Sequence, residues 1–383
     1  MQNFKLLIIP IAIIILLYTA IRAEEIDNIS IINVELFSKV ETIKYIQIDS
    51  PATLQPANMP LNTDEKWKIK TQSNTLILYQ PLKNIPHHLP EKILLQPVKN
   101  YPVCISTKDI NTRCYKGNIE ITSFKNRVKI INKVAIDDYI NATTASELPE
   151  DWPEEAVKAQ AIAIHSYTLY TQNKYKCVKD STQNQFYGGT NYEKPHFNQY
   201  IKKIKNIILI DQNKQPIEAL FHSTCAGGTL NNEDVFGEKP RNYLRAKKCN
   251  YCKESNFYNT HSNKLSLKEL YKKLKINNIS FTNNETRTIK IKTDNKILTG
   301  YNFWLLLGQH FGWGNTPGIK YYINCKENNC KIESRGAGHA VGLCQWGAKG
   351  MAKSGCKYQE ILSYYYRNIQ FSVGNNKSRT HPE

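Results

Sequence analysis

The sequence has few acidic residues, no long apolar run after residue 24 and no nucleotide-binding motif. Its 383 residues include 33 Asp and Glu against 51 Lys and Arg, a formal net charge of +18. A membrane-spanning helix needs ~20 apolar residues, and no stretch after residue 24 meets that requirement. No glycine-rich phosphate loop and no internal repeat is present, which argues against nucleotide-driven chemistry and a repeat architecture.

The N-terminus has the features of an export signal. Lys5 precedes an apolar run at residues 6–20, and small residues follow near Ala23. That run is shorter than a spanning helix and suits a signal peptide at residues 1–23. Ile21 stands where a signal peptidase prefers a small residue, so an uncleaved N-terminal anchor, the chain's one membrane contact, stays open. The protein is expected to be exported, in the periplasm or at the cell wall.

The positive charge indicates that the protein binds a polyanionic surface or a polyanionic substrate. Cleavage after residue 23 would remove Lys5 and Arg22 and leave a charge of +16. For an exported protein, acidic wall polymers or lipid headgroups are better partners than nucleic acid, and no nucleic-acid partner is expected. A merely basic, solvated surface is the other interpretation, and composition alone leaves both open.

The chain divides into two parts with different patterns. Residues 24–133 contain short runs of Ile, Val, Leu and Thr broken by Pro and Asn, typical of strands joined by turns. Residues 134–372 mix helical and strand-like segments without a regular alternation of strand and helix. We predict an α+β fold with a β-rich N-terminal region and a helix-containing core. Residues 373–383 are predicted to be a disordered tail.

Helical spacing is strongest on both sides of a Ser-Glu-Leu-Pro turn at residues 146–149. The first helix is predicted at residues 136–145. The second is predicted to begin at the start signal formed by Asp151 and Glu154, with Pro153 in its first turn, and to run to about Lys174. The second helix repeats small residues every three or four positions, which predicts a central and tightly packed element; they are Ala156, Ala159, Ala163 and Ser166. Further strands are predicted at 207–210, 217–221, 289–292 and 320–323, and further helices at 265–274, 346–353 and 358–366.

Three ordered blocks between residues 134 and 370 resemble the SpoIID/LytB family of sporulation and cell-wall proteins. Residues 145–163 read Ala-Ser-Glu-Leu-Pro-Glu-Asp-Trp-Pro-Glu-Glu-Ala-Val-Lys-Ala-Gln-Ala-Ile-Ala. Residues 219–225 read Ala-Leu-Phe-His-Ser-Thr-Cys. Residues 338–348 read Gly-His-Ala-Val-Gly-Leu-Cys-Gln-Trp-Gly-Ala. The first hundred residues match only in general character.

The resemblance implies a peptidoglycan lytic transglycosylase with Glu147 as its catalytic residue. Such an enzyme cleaves the bond between N-acetylmuramic acid and N-acetylglucosamine, and one carboxyl group acts first as acid and then as base. A position before a helix start favours the charged carboxylate, whereas a general acid needs a raised pKa. We therefore expect a desolvated cleft lined by aromatic or apolar side chains, with Trp152, Tyr167 and Trp346 as candidates. Spacing alone favours a plain helix-cap role for Glu147, and the resemblance reverses that preference.

Four further residues are expected to contact the substrate: His339, Gln345, Tyr167 and Lys158. Glycines around His339 would let backbone approach a ligand closely. In the other interpretation these glycines serve packing and His339 is a core residue. The sequence also departs from the family pattern, which has Gly at Ala340, Ser at Cys344 and Arg at His165.

Cysteine spacing predicts two hairpin disulfides and one metal site. In an exported protein, Cys104 with Cys114 and Cys325 with Cys330 can form disulfides. The pairs His222-x-x-Cys225 and Cys249-x-x-Cys252 have the spacing of a four-ligand zinc site. The resemblance also implies zinc near the cleft, in part through a Cys matching Cys225. A disulfide from Cys225 to Cys249 or Cys252 is the open alternative.

Other functions compete with the transglycosylase. The resemblance implies that the preferred substrate is glycan strands already stripped of stem peptides by an amidase. An amidase is therefore an expected partner. The family also contains non-catalytic wall-binding proteins that stimulate an amidase. A zinc-stabilised structural protein of the envelope is the third hypothesis. A nucleophilic pair of Cys344 and His339 matches no protease signature.

Overall fold

The computed structural model describes residues 30–38, 40, 43–80, 85–99, 101–181, 184–294 and 296–373. The predicted signal peptide at residues 1–23 and residues 374–383 of the predicted tail lie outside the described residues. Val373 ends a strand. Among the described residues, no helix combines the length and apolar character needed to cross a membrane.

The described residues form strands along their whole length and α-helices from residue 136 onward. The strands are β1 (Ile31–Glu35), β2 (Tyr45–Ile48), β3 (Ala52–Gln55), β4 (Met59–Leu61), β5 (Lys68–Gln72), β6 (Thr75–Gln80), β7 (Ile85–Leu89), β8 (Lys92–Pro97), β9 (Val103–Ser106), β10 (Arg113–Tyr115), β11 (Asn118–Phe124), β12 (Arg127–Ala135), β13 (Val178–Lys179), β14 (Ile207–Ile210), β15 (Phe221–His222), β16 (His261–Ser266), β17 (Ile279–Asn283), β18 (Thr288–Thr293), β19 (Ile297–Thr299), β20 (Lys320–Lys326), β21 (Asn329–Arg335), β22 (Leu343–Cys344) and β23 (Gln370–Val373). The helices are α1 (Ile136–Glu147), α2 (Glu154–Tyr175), α3 (Pro195–Lys202), α4 (Asn232–Phe236), α5 (Leu267–Leu274), α6 (Gly300–Phe311), α7 (Gln345–Lys353) and α8 (Tyr358–Tyr365).

The N-terminal region is built from two sheets packed face to face. One has the strand order β13-β1-β12-β11-β8-β3-β4 and the other β10-β9-β2-β5-β6-β7. Contacts of β11 with β6 and of β12 with β5 join them. Alternate residues of β11 are buried, as the period of two requires for a strand with one core face. Strand β12 shows the same alternation, except that Ile131 is buried on its other face as well. The predicted α+β class with a β-rich N-terminal region is confirmed.

Helix α2 occupies the centre of the second part of the chain. It contacts α1, α3, α7, α8 and β14. Ala156, Ala159 and Ala163 are fully buried, and the Ser166 hydroxyl accepts a hydrogen bond from the Leu209 N–H at 2.8 Å. The small-residue face therefore allows the close approach that its spacing predicted. Helix α2 begins at Glu154 with Pro153 as its N-cap residue, so the start signal predicted at Asp151, with Pro153 in the first turn, is wrong.

Most predicted elements are present, with a few differences. Helix α1 continues two residues beyond the predicted end, so Glu147 is its last residue. The strand predicted at 217–221 is wrong for most of its length, because only Phe221 and His222 form β15. Helix α6 was not predicted from the sequence. It packs against β18 and β19, within a region that also contains the three-stranded sheet β16-β21-β20.

Two short parallel strands bring distant parts of the chain together. Strand β15 pairs with β22 so that Phe221 lies beside Leu343 and His222 beside Cys344. This pairing places the loop before β22 against the segment after β15. Both predicted disulfides, Cys104–Cys114 and Cys325–Cys330, are formed, each between directly paired strand residues.

Candidate functional site

Glu147 is held by the carboxyl end of helix α1. The Lys194 ammonium donates to the carbonyl of Ala145 at 2.6 Å and to that of Leu148 at 2.5 Å. A cation at this end satisfies carbonyls that have no partner within the helix. The Ser146 hydroxyl donates to Ala142 at 2.7 Å and accepts from the Gly188 N–H at 3.2 Å. The backbone that presents Glu147 is therefore fixed on both sides.

The Glu147 carboxyl group has two hydrogen-bond donors and is only partly exposed to water. The Phe186 N–H donates to Oε1 at 2.7 Å, and the Gln345 Nε2 donates to Oε2 at 3.5 Å. Burial raises the pKa of Glu147 to about 7, and these two hydrogen bonds oppose the rise. The sequence placed Glu147 before a helix start, but it ends α1, and the negative end of a helix does not stabilise a carboxylate.

The carboxyl group opens into a cleft of about 490 Å³ with mostly apolar walls. Helix α6 and the loop after it supply Tyr301, Trp304 and Trp313. The Trp304 and Trp313 rings meet edge to face at 4.9 Å between centroids. The other aromatic lining residues are Phe221 and Phe257.

The expected aromatic lining differs from the structure at all three positions. Trp152 and Trp346 pack edge to face, 5.7 Å between ring centroids, and Lys349 lies over both rings. Tyr167 lines an adjoining pocket of about 290 Å³. There its hydroxyl accepts a hydrogen bond from Asn184 at 3.1 Å. Aromatic shielding of Glu147 was correctly expected, but other residues provide it.

The glycine-containing loop at residues 338–342, just before β22, packs closely against the segment around β15. Gly342 has φ +72°, and a Cβ there would lie 2.1 Å from the Leu220 carbonyl oxygen. Gly338 has φ +89°, and a Cβ would meet the His222 side chain at 2.9 Å. Ala340 also has a positive φ, +58°, and is buried, so the substitution of the family's glycine is accommodated with some backbone strain.

Two histidines share the backbone of Val341 at the wall of the cleft. The His339 Nδ1 accepts from the Val341 N–H at 3.1 Å, and the His222 Nδ1 donates to the Val341 carbonyl at 3.1 Å. Burial lowers the pKa of His339 to about 4 and that of His222 well below its usual 6.5. Both rings are therefore neutral at pH 7. Among the described residues, the His222 Nε2 has no hydrogen-bond partner.

The four expected substrate contacts fall in three places. His339 and Gln345 line the cleft together with Glu147. Tyr167 lines the adjoining pocket, which shares His339, Phe221 and Tyr301 with the cleft. Lys158 is paired with Glu154 at 2.6 Å and Glu155 at 2.9 Å, and lies outside the described lining of both pockets.

Four buried cysteines form a cluster that could hold a metal ion. The Sγ atoms of Cys225, Cys249, Cys252 and Cys344 all lie within 4.8 Å of one another. Cys225 and Cys252 are 3.6 Å apart, and Cys249 and Cys252 3.9 Å. Four sulfurs at ~2.3 Å from a tetrahedral zinc would be about 3.8 Å apart, so this donor set fits the ion. A disulfide would need ~2.04 Å.

The predicted ligand set needs one correction. Cys225, Cys249 and Cys252 meet as expected, but His222 does not join them. Its Nδ1 is engaged by the Val341 carbonyl and its ring lines the cleft. Cys344 takes the fourth place because the pairing of β15 with β22 carries it to Cys225.

Comparisons with known proteins agree with the residue motifs. A family model for SpoIID, Stage II sporulation protein, matches residues 124–210. An uncharacterized protein of Brachyspira hyodysenteriae is 30% identical over 270 residues, covering 67% of this chain and 71% of that protein. Stage II sporulation protein D of Bacillus subtilis is 27% identical over 285 residues, covering 66% of this chain and 79% of that protein. The chain belongs to the SpoIID family.

One relative has a differently described role. The amidase enhancer of Bacillus subtilis is 24% identical over 274 residues, which cover 58% of this chain and 38% of that protein.

Sequence reasoning missed several residues of the site. Phe186 acts through its backbone N–H, which no side-chain pattern could indicate. Trp304 and Trp313 come from α6 and its following loop, far from the motifs in sequence. Cys344 did carry a signal, because it replaces the serine of the family pattern.

Proposed function

We propose that this protein is a peptidoglycan lytic transglycosylase with Glu147 as its single acid and base. The family and the named amidase enhancer among its relatives support a role at the cell wall. In the proposed reaction the Glu147 carboxylic acid gives its proton to the glycosidic oxygen while the bond from C1 of N-acetylmuramic acid breaks. The resulting carboxylate takes the proton of the C6 hydroxyl, whose oxygen bonds to C1. The product is a 1,6-anhydro sugar, and no water is consumed.

The observation that carries this proposal is the environment of Glu147. A carboxyl group with a pKa of about 7 can both give and take a proton near neutral pH. Its two neighbours, the Phe186 N–H and Gln345, are donors that stabilise the carboxylate after it has lost its proton. A plain helix-cap carboxylate would be exposed and bonded to the first turn of a helix, which is not the geometry of Glu147.

The walls of the cleft support a sugar substrate. Aromatic faces and a few fixed polar atoms are the usual lining of a pocket for a small, partly apolar ligand. Trp313, which lines the cleft, is 37% exposed, so its ring can contact a bound sugar. Among the described lining residues of this cleft, Glu147 is the one carboxylate, whereas the usual glycosidases need two.

We propose zinc as the metal of the cysteine cluster, with a structural role. Four thiolates in a closed, buried tetrahedron are typical of structural zinc, whereas catalytic sites keep an open position. Metal analysis of the purified chain, together with a thiol count, tests this assignment. One zinc per chain that protects four thiols supports it, and a disulfide among these four cysteines would contradict it.

The proposed place of action is outside the cytoplasm, in the periplasm or at the cell wall. The proposed substrate is the glycan strand of peptidoglycan, stripped of stem peptides by a partner amidase. Cys104–Cys114 and Cys325–Cys330 are disulfides, and such bonds form and persist in oxidising compartments.

Digestion of purified, peptide-free glycan strands separates the candidate functions. The purified protein and the matched variant Glu147→Gln are incubated with strands, and the products are analysed by mass spectrometry. Anhydro ends that appear with the native protein and vanish with the variant support the proposed reaction. The amidase enhancer is the alternative favoured by a named relative. Stimulation of an amidase without new glycan ends would favour it over catalysis.

A further inference from the structure

Cys344 connects the cysteine cluster to the helix that carries Gln345. It is the N-cap residue of α7, and its sulfur accepts the Gly347 N–H at 3.3 Å. The same sulfur accepts the Cys225 N–H at 3.3 Å. Two backbone N–H groups therefore point at this one buried sulfur, as they would at a sulfur bound to a metal.

The surroundings of the cluster offer positive charge and donors to several thiolates. The partly buried Lys320 ammonium donates to the carbonyls of Cys225 at 2.9 Å and Gly228 at 2.5 Å. The Tyr365 hydroxyl lies 3.2 Å from the Cys249 sulfur. The positive N-terminal end of α7 also points at the cluster through the Gly347 N–H. Four thiolates and one divalent cation leave two negative charges, which these groups partly compensate.

The first turn of α7 lies directly on the cluster. A Cβ at Gly347 would fall 1.9 Å from the Tyr365 hydroxyl and 3.1 Å from the Cys249 sulfur. On its other side, the same turn presents Gln345 to Glu147. Cys344 and Gln345 are adjacent in sequence, so the backbone that carries the Cys344 sulfur also carries the amide that contacts Glu147.

We propose that Cys344 is the fourth ligand of a thiophilic divalent cation, and that this bond positions Gln345 against Glu147. Cys344 is thus a positioning residue, and the metal locks the turn that completes the cleft. The ligand role proposed for Cys344 rests on the geometry of the cysteine cluster alone. The positioning role rests on the proposed function of Glu147.

The ligand role can be separated from the capping role with two substitutions. Serine is a good N-cap residue, so Cys344→Ser keeps the cap and removes the thiolate, whereas Cys344→Ala removes both. Cys356, a partly buried free cysteine outside the cluster, gives the matched control Cys356→Ser. The full-length chain is stripped of metal and titrated with cobalt(II), whose thiolate charge-transfer band grows with the number of bound sulfurs.

The expected result is that Cys344→Ser loses one quarter of the charge-transfer intensity, because one of four thiolates is gone. Its metal affinity should fall at least about 100-fold, since even partners beyond the ligands cost 10–100-fold. Cys356→Ser should match the native chain. Native intensity and affinity in Cys344→Ser would overturn the ligand role. These readouts need no catalysis, so they stand even if the strands are not cleaved.

The positioning role is tested by a double-mutant cycle on strand cleavage. If Cys344 acts through Gln345, Cys344→Ser lowers kcat in the native background and has no further effect in Gln345→Ala. Hydrogen exchange at the Gly347 amide should speed up when the metal is removed from the native chain. Additive losses in kcat, or an unchanged exchange rate, would overturn this role while leaving Glu147 catalysis intact.

Discussion

Replacing Glu147 with glutamine should abolish cleavage and also stabilise the folded protein at alkaline pH. Burial raises the pKa of Glu147 from its ordinary 4.5 to about 7. Between these values the folded protein binds more protons than the unfolded chain, so stability falls as the pH rises. The shift is about 2.5 pH units, and at ~1.36 kcal/mol per unit the loss is about 3 kcal/mol above pH 7. Below pH 4.5 the loss disappears.

Urea unfolding of the native chain and Glu147→Gln at pH 4 and pH 8 measures this effect. Glutamine keeps an oxygen that can accept from Phe186 but never ionises. The variant should gain about 3 kcal/mol over the native chain at pH 8 and almost nothing at pH 4. Glu91→Gln, at an exposed position, is the matched control and should show no difference at either pH. An equal gain at both pH values, or none at pH 8, would refute the assigned environment of Glu147.

Three further predictions concern the cleft and the turn beneath it. First, kcat/KM should fall as the pH rises above about 7, because Glu147 must start protonated. The hydrogen bond from Gln345 holds the pKa of Glu147 down, so Gln345→Ala should raise that pKa and move the fall in kcat/KM to higher pH. A limb that stays in place in the variant would contradict the contact. Second, Trp313→Ala should raise KM on the order of tenfold without moving the limb, and Trp313→Phe should recover much of the loss; steady-state kinetics decide this. Third, Gly347→Ala should lower both the metal content and the thermal stability, because its Cβ would clash with the Tyr365 hydroxyl. An unchanged metal content would contradict the close packing of the first turn of α7 on the cysteine cluster.

The β-rich region and the main helices could be predicted because their signals are local. Alternating β-branched residues mark strands such as β11, and small residues at helical spacing mark α2. The disulfides could also be predicted, since Cys104 with Cys114 and Cys325 with Cys330 flank hairpin turns. In each case the residues that interact are close in sequence.

The rest of the site could not be predicted because it depends on contacts between distant segments. Cys225 and Cys344 are 119 residues apart, and the short pairing of β15 with β22 carries no sequence signature. Three of the aromatic lining residues come from α6 and the loop after it, and the position of α6 is set by packing on β18 and β19. The raised pKa of Glu147 follows from burial, which spacing alone does not report.

Cleavage in water enriched in oxygen-18 tests the central claim most directly. If the C6 hydroxyl attacks C1 while Glu147 moves the proton, peptide-free strands will be cut to anhydro ends that carry no heavy oxygen. New reducing ends that contain oxygen-18 would show hydrolysis and contradict the proposed reaction.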